Sequence, residues 1–349
     1  MINIKIKSFF HHLGLLMIVV FSVSGCGLNA TGGGASSPSW HFRTIDTVGY
    51  APCSIAVDTS GRPHISYLGR ESSSHLAYAY FNGSNWLTET IASGVTFHDI
   101  AIDGNNLPHI CYRQGDNLIH SHYTGSIWET ETARTGVYPD HISIAIDSAE
   151  AIHVSYYNSN SKDLAYVKKT VSWSAPTVID GSGDTTSEVG SYNSIALDNS
   201  DNPHISYKSV NSLKHAQWNV SWSTETVTNE AASYTSLAFD NSNNPLISYH
   251  ETSALDLKLA RYSGSTWSTE TVDAGGIAGN SSSLNIDPDG EIHILYIKDI
   301  VYVMHAWNSG LAWEFETVDN GEHVASATFG TIKIFMAYIN NSLKYAEFR

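Results

Sequence analysis

Four residues, Phe97, His141, Tyr192 and Tyr234, each stand six positions before an aspartate that recurs along the chain, as Asp103, Asp147, Asp198 and Asp240. Flat rings with polar edges suit hydroxylated ligands with an apolar face, such as sugars. A position repeated in successive structural units predicts an arc of rings at one height around a shared axis. Mutual packing of the loops is the structural alternative. Arg70, Arg113 and Arg134 form a second set, with Glu71, Asp116 and Asp140 close by in sequence. Guanidinium groups clamp carboxylates bidentately, so three of them on one face suggest recognition of an acidic ligand. The plainer reading of that set is solvated loop charge.

Two other repeated residue types invite a metal reading and do not sustain it. A histidine recurs as His64, His109, His153, His204 and His293. Metal ligands converge on one point, whereas one histidine per repeat is distributed around a ring. These imidazoles are therefore expected to satisfy backbone groups near a turn. Turns such as Asp287-Pro288-Asp289-Gly290 resemble calcium loops but lack the distant bidentate glutamate. Their first carboxylate is expected to cap its own turn. No metal or other cofactor is expected.

The elements that must position these residues are written out seven times. Ser194–Tyr207 reads SIALDNSDNPHISY, and versions of it stand at Ser54–Tyr67, Asp99–Tyr112, Ser143–Tyr156, Ser236–Tyr249 and Ser283–Tyr296, with a worn copy at Ser326–Tyr338. Each has an alternating half, a cluster of turn formers and a second alternating half, the pattern of a β-hairpin. A third strand follows each hairpin, as at Leu213–Gln217. A fourth begins with tryptophan and carries threonine four residues later, as in Trp222/Thr226 and Trp267/Thr271. Four strands every 40–50 residues is the period of propeller blades.

The ends decide closure. The seventh copy stops at Arg349 after its third strand, and the missing tryptophan strand stands at Trp40–Ile45 with the same Trp-to-Thr spacing. The expected fold is an all-β, seven-bladed propeller over residues 40–349, four antiparallel strands per blade, with the N-terminal strand completing the last blade. An open solenoid leaves that displaced strand unexplained.

With 34 acidic against 18 basic residues, the formal net charge of −16 argues against a phosphate-neutralising surface for nucleic acid. Residues 1–25 read as a lipoprotein signal: Lys5 and Lys7, an apolar Leu13–Val23, then Val23-Ser24-Gly25-Cys26, in which Cys26 would take the lipid. Residues 26–39 are a Gly/Ser-rich tether unable to bury a core. The address is the bacterial cell envelope, with the membrane reached through the anchor alone and the domain monomeric. Cys53 and Cys111 are left as either a disulfide or two buried thiols, because sequence does not fix their geometry.

The repeats, together with segments such as Leu213-Lys214-His215-Ala216 and Trp222-Ser223-Thr224-Glu225-Thr226-Val227, resemble secreted bacterial propellers of the sialidase-like, BNR-type group. The resemblance spans Trp40–Arg349. The Asp-box of that group survives only as a shadow in Tyr262-Ser263-Gly264-Ser265-Thr266-Trp267, without its aspartate, and the arginine-isoleucine-proline signature is missing. What the resemblance implies is therefore the fold. The expected function is a non-catalytic binding module for a glycan or an envelope protein. A sialidase-like glycan-processing enzyme and a structural scaffold are the alternatives. The loop Asp180–Asn193, with Asp184 and Glu188, is the expected place of specialisation.

Overall fold

The structure is a computed structural model that describes residues 39–69, 72–181, 186–330 and 333–349. The chain divides into Met1–Ser37 and Pro38–Arg349, and the described residues all belong to the second unit. Cys26, the signal and tether residues before position 39, Arg70, Glu71 and Asp184 lie outside them.

The described residues form seven four-stranded antiparallel sheets. The strands closest to the axis are the first halves of the repeated hairpins: Gly49–Val57, Val95–Ile102, Pro139–Ile146, Val189–Leu197, Ala232–Phe239, Ala278–Ile286 and His323–Phe329, in blades 1 to 7. Blade 7 is completed by Trp40–Asp46, which pairs antiparallel with Leu343–Phe348 in the register Trp40 to Phe348 and Thr44 to Lys344. The displaced strand thus closes the ring as its spacing predicts. Trp40 also reaches into blade 6, where its indole N–H donates to Glu316 Oε1 at 2.7 Å.

Each junction between neighbouring blades holds one apolar cluster, so the core is a ring of seven wedges. At the junction of blades 7 and 1, for example, Ile55, Ile65 and Tyr67 meet Phe335, Ala337 and Tyr345. Small residues at one inner-strand position, Ala196 and Ala238 among them, are what allow twisted sheets to approach each other this near the axis.

The hairpin turns behave as their residue types require. Asp58 Oδ1 accepts from the backbone N–H of Ser60 and Arg62, each at 2.8 Å, and Asp147, Asp198 and Asp240 repeat the pattern. The turn carboxylates are caps. Cys53 and Cys111 are separate buried thiols.

The second-strand histidines correct one expectation. They meet other side chains instead of backbone groups: His64 pairs with Tyr78 at 2.5 Å and His153 with Tyr166 at 2.7 Å. In blades 2, 4 and 6 a second histidine takes the tyrosine's place. His204 then bonds His215 at 2.9 Å and His215 bonds Glu225 at 3.0 Å. Neighbouring antiparallel strands set like faces side by side, so each imidazole finds a partner across the sheet before it reaches the turn backbone.

Candidate binding site at the mouth of the axial channel

The inner strands do not run straight along the axis. In blades 1 to 6 the pairing with the second strand shifts its register, by one residue between Asp140 and Ser143 in blade 3 and between Ser191 and Ser194 in blade 4. Such a bulge releases a residue from the ladder and turns its side chain out of the sheet. The released residues include Phe97, His141, Tyr192 and Tyr234. His141, Tyr192 and Tyr234 hold left-handed φ angles of 48°, 52° and 50°. Non-glycine residues adopt that conformation at some cost, so the surroundings must hold it in place.

Two rings of hydrogen bonds do so. The residue after each bulge position reaches back to the carbonyl of the preceding blade. His98 Nε2–H donates to Pro52 O (3.2 Å), Asn193 Nδ2 to His141 O (2.6 Å), Thr235 Oγ1 to Tyr192 O (2.7 Å) and Ser282 Oγ to Tyr234 O (2.7 Å). The serine of the His-Ile-Ser-Tyr stretch supports these donors from behind: Ser66 bonds His98, Ser155 bonds Asn193, Ser206 bonds Thr235 and Ser248 bonds Ser282. Where blade 2 has Cys111 instead, the following blade offers apolar Ile142, and the two share one core cluster. One position further along, Asp99, Ser143, Ser194, Ser236 and Ser283 accept from the backbone N–H groups of Ile144, Ile195, Leu237, Leu284 and Ser326 in the blade that follows. Repetition of serine in the sequence was the available signal for this second ring.

The four rings form an unbroken arc. Centroids are 5.2 Å apart from Phe97 to His141, 4.3 Å from His141 to Tyr192 and 4.7 Å from Tyr192 to Tyr234. They line one side of a cavity of about 480 Å³ whose opposite side carries Ser281, Ser282, Ser283 and His323. Tyr234 is the most open of the arc, 37% exposed. The expected arc of rings at one height is what the structure shows.

The mouth is electrostatically quiet. Among the described residues no lysine or arginine lines it. Burial holds the His98 and His323 imidazoles down at about 4 and lowers His141 too, so all three are neutral at pH 7. His323 Nδ1 accepts the Cys53 N–H at 3.4 Å, which leaves its Nε2–H as a donor. Burial pushes the Cys53 thiol up, away from thiolate chemistry. Asp99 is the acid of the mouth. Burial raises its carboxyl, and bonds from Ser54 Oγ (2.6 Å) and the Ile144 and Ile100 amides offset part of that rise.

The arginines lie elsewhere. Arg113 is ion-paired with Asp140 and donates from Nε to Gly115 O at 2.8 Å. Arg134 ends the fourth strand of blade 2, away from the channel. The two described members of the set do not meet in the pocket.

No family model matches the chain, and no curated protein matches it. Solved structures do, at the level of the fold. A polysaccharide lyase, ulvan lyase bound to -[GlcA(1-4)Rha3S]-, superposes with a TM-score of 0.64 at 13% identity, covering 86% of this chain and 94% of that one. Virginiamycin B lyase from Staphylococcus aureus gives 0.65 at 9% identity, over 89% and 99% of the two chains. The SapL1 lectin in complex with alpha methyl fucoside gives 0.57 at 15% identity, over 78% and 98%. Two lyases and a lectin, not sialidases specifically, are thus among the proteins this seven-bladed propeller is similar to.

Proposed function

We propose that this propeller is a carbohydrate-binding module of the bacterial cell envelope, with the axial mouth as its binding site. The observation that carries the reading is the two-sided mouth: an unbroken aromatic arc faces a wall of hydroxyls and an imidazole N–H. A pyranose has an apolar face to lay on the rings and hydroxyls at its edge to accept from the His323 N–H and to donate to the serine oxygens, whose own hydrogens go to the Val324, Tyr234 and Ser326 carbonyls. The absence of cations from the described lining favours a neutral sugar there. The fold shared with a lectin and with a lyase acting on polysaccharide supports the substrate class. Replacing Tyr192 and Tyr234 together by Ala removes two adjacent stacking surfaces, worth on the order of 1 kcal/mol each. Binding on a glycan array or by calorimetry is expected to fall at least tenfold, with Tm within a few degrees of the parent. Unchanged binding, or a double variant that unfolds, would make the arc core packing.

Glycan processing is the second reading, and the raised carboxyl of Asp99 within the mouth is what favours it. Cleavage of a glycan by the purified domain, lost in Asp99→Asn, would promote it over binding alone.

The membrane address rests on Cys26. A single acyl chain binds only reversibly, whereas the several chains of a lipoprotein hold. Cys26→Ser is expected to move the protein out of the membrane fraction. Retention there would remove the anchor from the reading.

A further inference from the structure

A second polar site, separate from the axial mouth, emerges when the seven blade junctions are compared. In five of them a fully buried second-strand tyrosine donates its hydroxyl to a carboxylate from the end of the preceding blade. The bonds are Tyr67 to Asp46 (2.7 Å), Tyr207 to Asp180 (2.6 Å), Tyr249 to Glu230 (2.7 Å), Tyr296 to Asp273 (2.6 Å) and Tyr338 to Asp319. At three of these a lysine completes the group: Lys214 on Asp180, Lys258 on Glu230 at 2.6 Å and Lys298 on Asp273 at 2.8 Å. A cation, a phenol and a carboxylate share one buried corner.

At the junction of blades 2 and 3 the carboxylate is missing. Strand register puts Arg134 opposite Leu118, as Asp180 stands opposite Leu164 and Asp273 opposite Leu257. The tyrosine facing it is Tyr156, 0% exposed. Its hydroxyl and Arg134 Nε are both buried and neither has a hydrogen-bond partner. Arg134 makes no ion pair among the described residues, and its neighbour Arg113 is already neutralised by Asp140. The remaining junction avoids the problem, since Tyr112 bonds Ser121 of its own blade at 3.1 Å. Leaving two buried donors unmatched costs roughly 1–3 kcal/mol each, and more for the charged one.

We propose that the junction of blades 2 and 3 is a carboxylate-binding site, in which Arg134 and Tyr156 receive from a ligand the two oxygens that an aspartate supplies at the other junctions. Burial pushes the Tyr156 phenol up to about 12, so the phenol is a neutral donor and does not itself neutralise the guanidinium. Two sources share this chemistry, a free small carboxylate and the uronate of a glycan.

The test is thermal shift and calorimetry on the propeller domain at pH 7.5 and fixed ionic strength, with acetate, glucuronate, glucose and chloride as probes. Acetate and glucuronate are expected to raise the Tm of the parent saturably and chloride is not, while any rise with glucose belongs to the mouth and persists in Arg134→Asp. A response to glucuronate without acetate assigns the carboxylate to a sugar, and the site stands. Arg134→Asp restores the carboxylate of the other junctions. It is expected to raise Tm in buffer alone and to abolish the response. Tyr156→Phe, which removes an unmatched hydroxyl, is expected to raise Tm in buffer and to weaken the carboxylate at least tenfold, whereas Tyr207→Phe, which removes a matched one, lowers Tm. Absence of any carboxylate-specific shift in the parent overturns the proposal. So does an equal shift in Arg134→Asp, or an Arg134→Asp domain no more stable than Arg134→Gln. Glucose binding at the mouth is scored separately in the same titrations, so either site can fail alone.

Discussion

Removal of residues 40–46 is expected to cost the domain far more stability than seven residues of an outer strand ordinarily would. Little of this strand is buried on its own account, since only Trp40, Ile45 and Asp46 are shielded. Its importance lies in what it covers. It supplies the outer ladder of blade 7, packs Ile45 into the cluster between blades 7 and 1, and bonds Trp40 to Glu316 of blade 6. Asp46 also accepts the hydroxyl of Tyr67 in blade 1. Three blades therefore lose contacts at once. Lost burial and hydrogen bonding together come to on the order of 5 kcal/mol or more, and Leu343–Phe348 becomes an exposed edge. The expected result is a Tm lowered by roughly ten degrees, with aggregation on heating. Removal of residues 27–38 is expected to leave Tm unchanged. Equal melting of the two truncations would mean that the ring does not depend on its closing strand.

Acid is expected to unfold the domain well above the pH at which its carboxylates titrate. Burial holds His64, His98, His204 and His293 at about 4 and His120 at about 3. In the unfolded chain each takes up a proton near pH 6.5. Between these values the unfolded state binds more protons than the folded one, so stability falls as pH falls from about 6.5 towards 4. Each of these buried imidazoles contributes on the order of 2–3 kcal/mol to that loss by pH 4. Asp147 and Glu131, both held at about 2, add to it lower down. The dominant influence on either carboxylate is burial, which raises it. Bonds from His153, the Ala151 amide and Lys168 outweigh burial at Asp147, as Lys169 and His120 do at Glu131. Tryptophan fluorescence is expected to show cooperative unfolding between about pH 6 and 4.5, with Tm declining through the same window. A Tm that stays level from pH 7 to 4.5 would show that the histidine pairs open to solvent without loss of the fold.

The parts legible in the sequence were those written within one repeat. Hairpin, turn cap, tryptophan strand and the height of Phe97, His141, Tyr192 and Tyr234 all follow from residue types within some fifty positions of each other. What escaped was set between blades. Arg113 reads as a free loop charge until blade 3 brings Asp140 to it. Arg134 reads as a member of a triad until strand register places it where other blades carry an acid. The second-strand histidines gave no hint of their partners, because a third-strand tyrosine in blade 1 and a histidine in blade 2 fill the same place. Asp99, in a place where the other blades carry serine, was visible as an exception, but its meaning depends on an amide 45 residues away.

The bulge in the inner strands has a consequence for how such a mouth could change over generations. Residues at the bulge stand outside the ladder, and the bonds that hold them run through their carbonyls rather than their side chains. A new side chain at position 141, 192 or 234 therefore alters the floor offered to a ligand without rewriting a strand. The left-handed backbone sets the one restriction, excluding β-branched residues and proline from these places. Specificity can drift one blade at a time, each blade acting as a separately exchangeable letter in a short circular word.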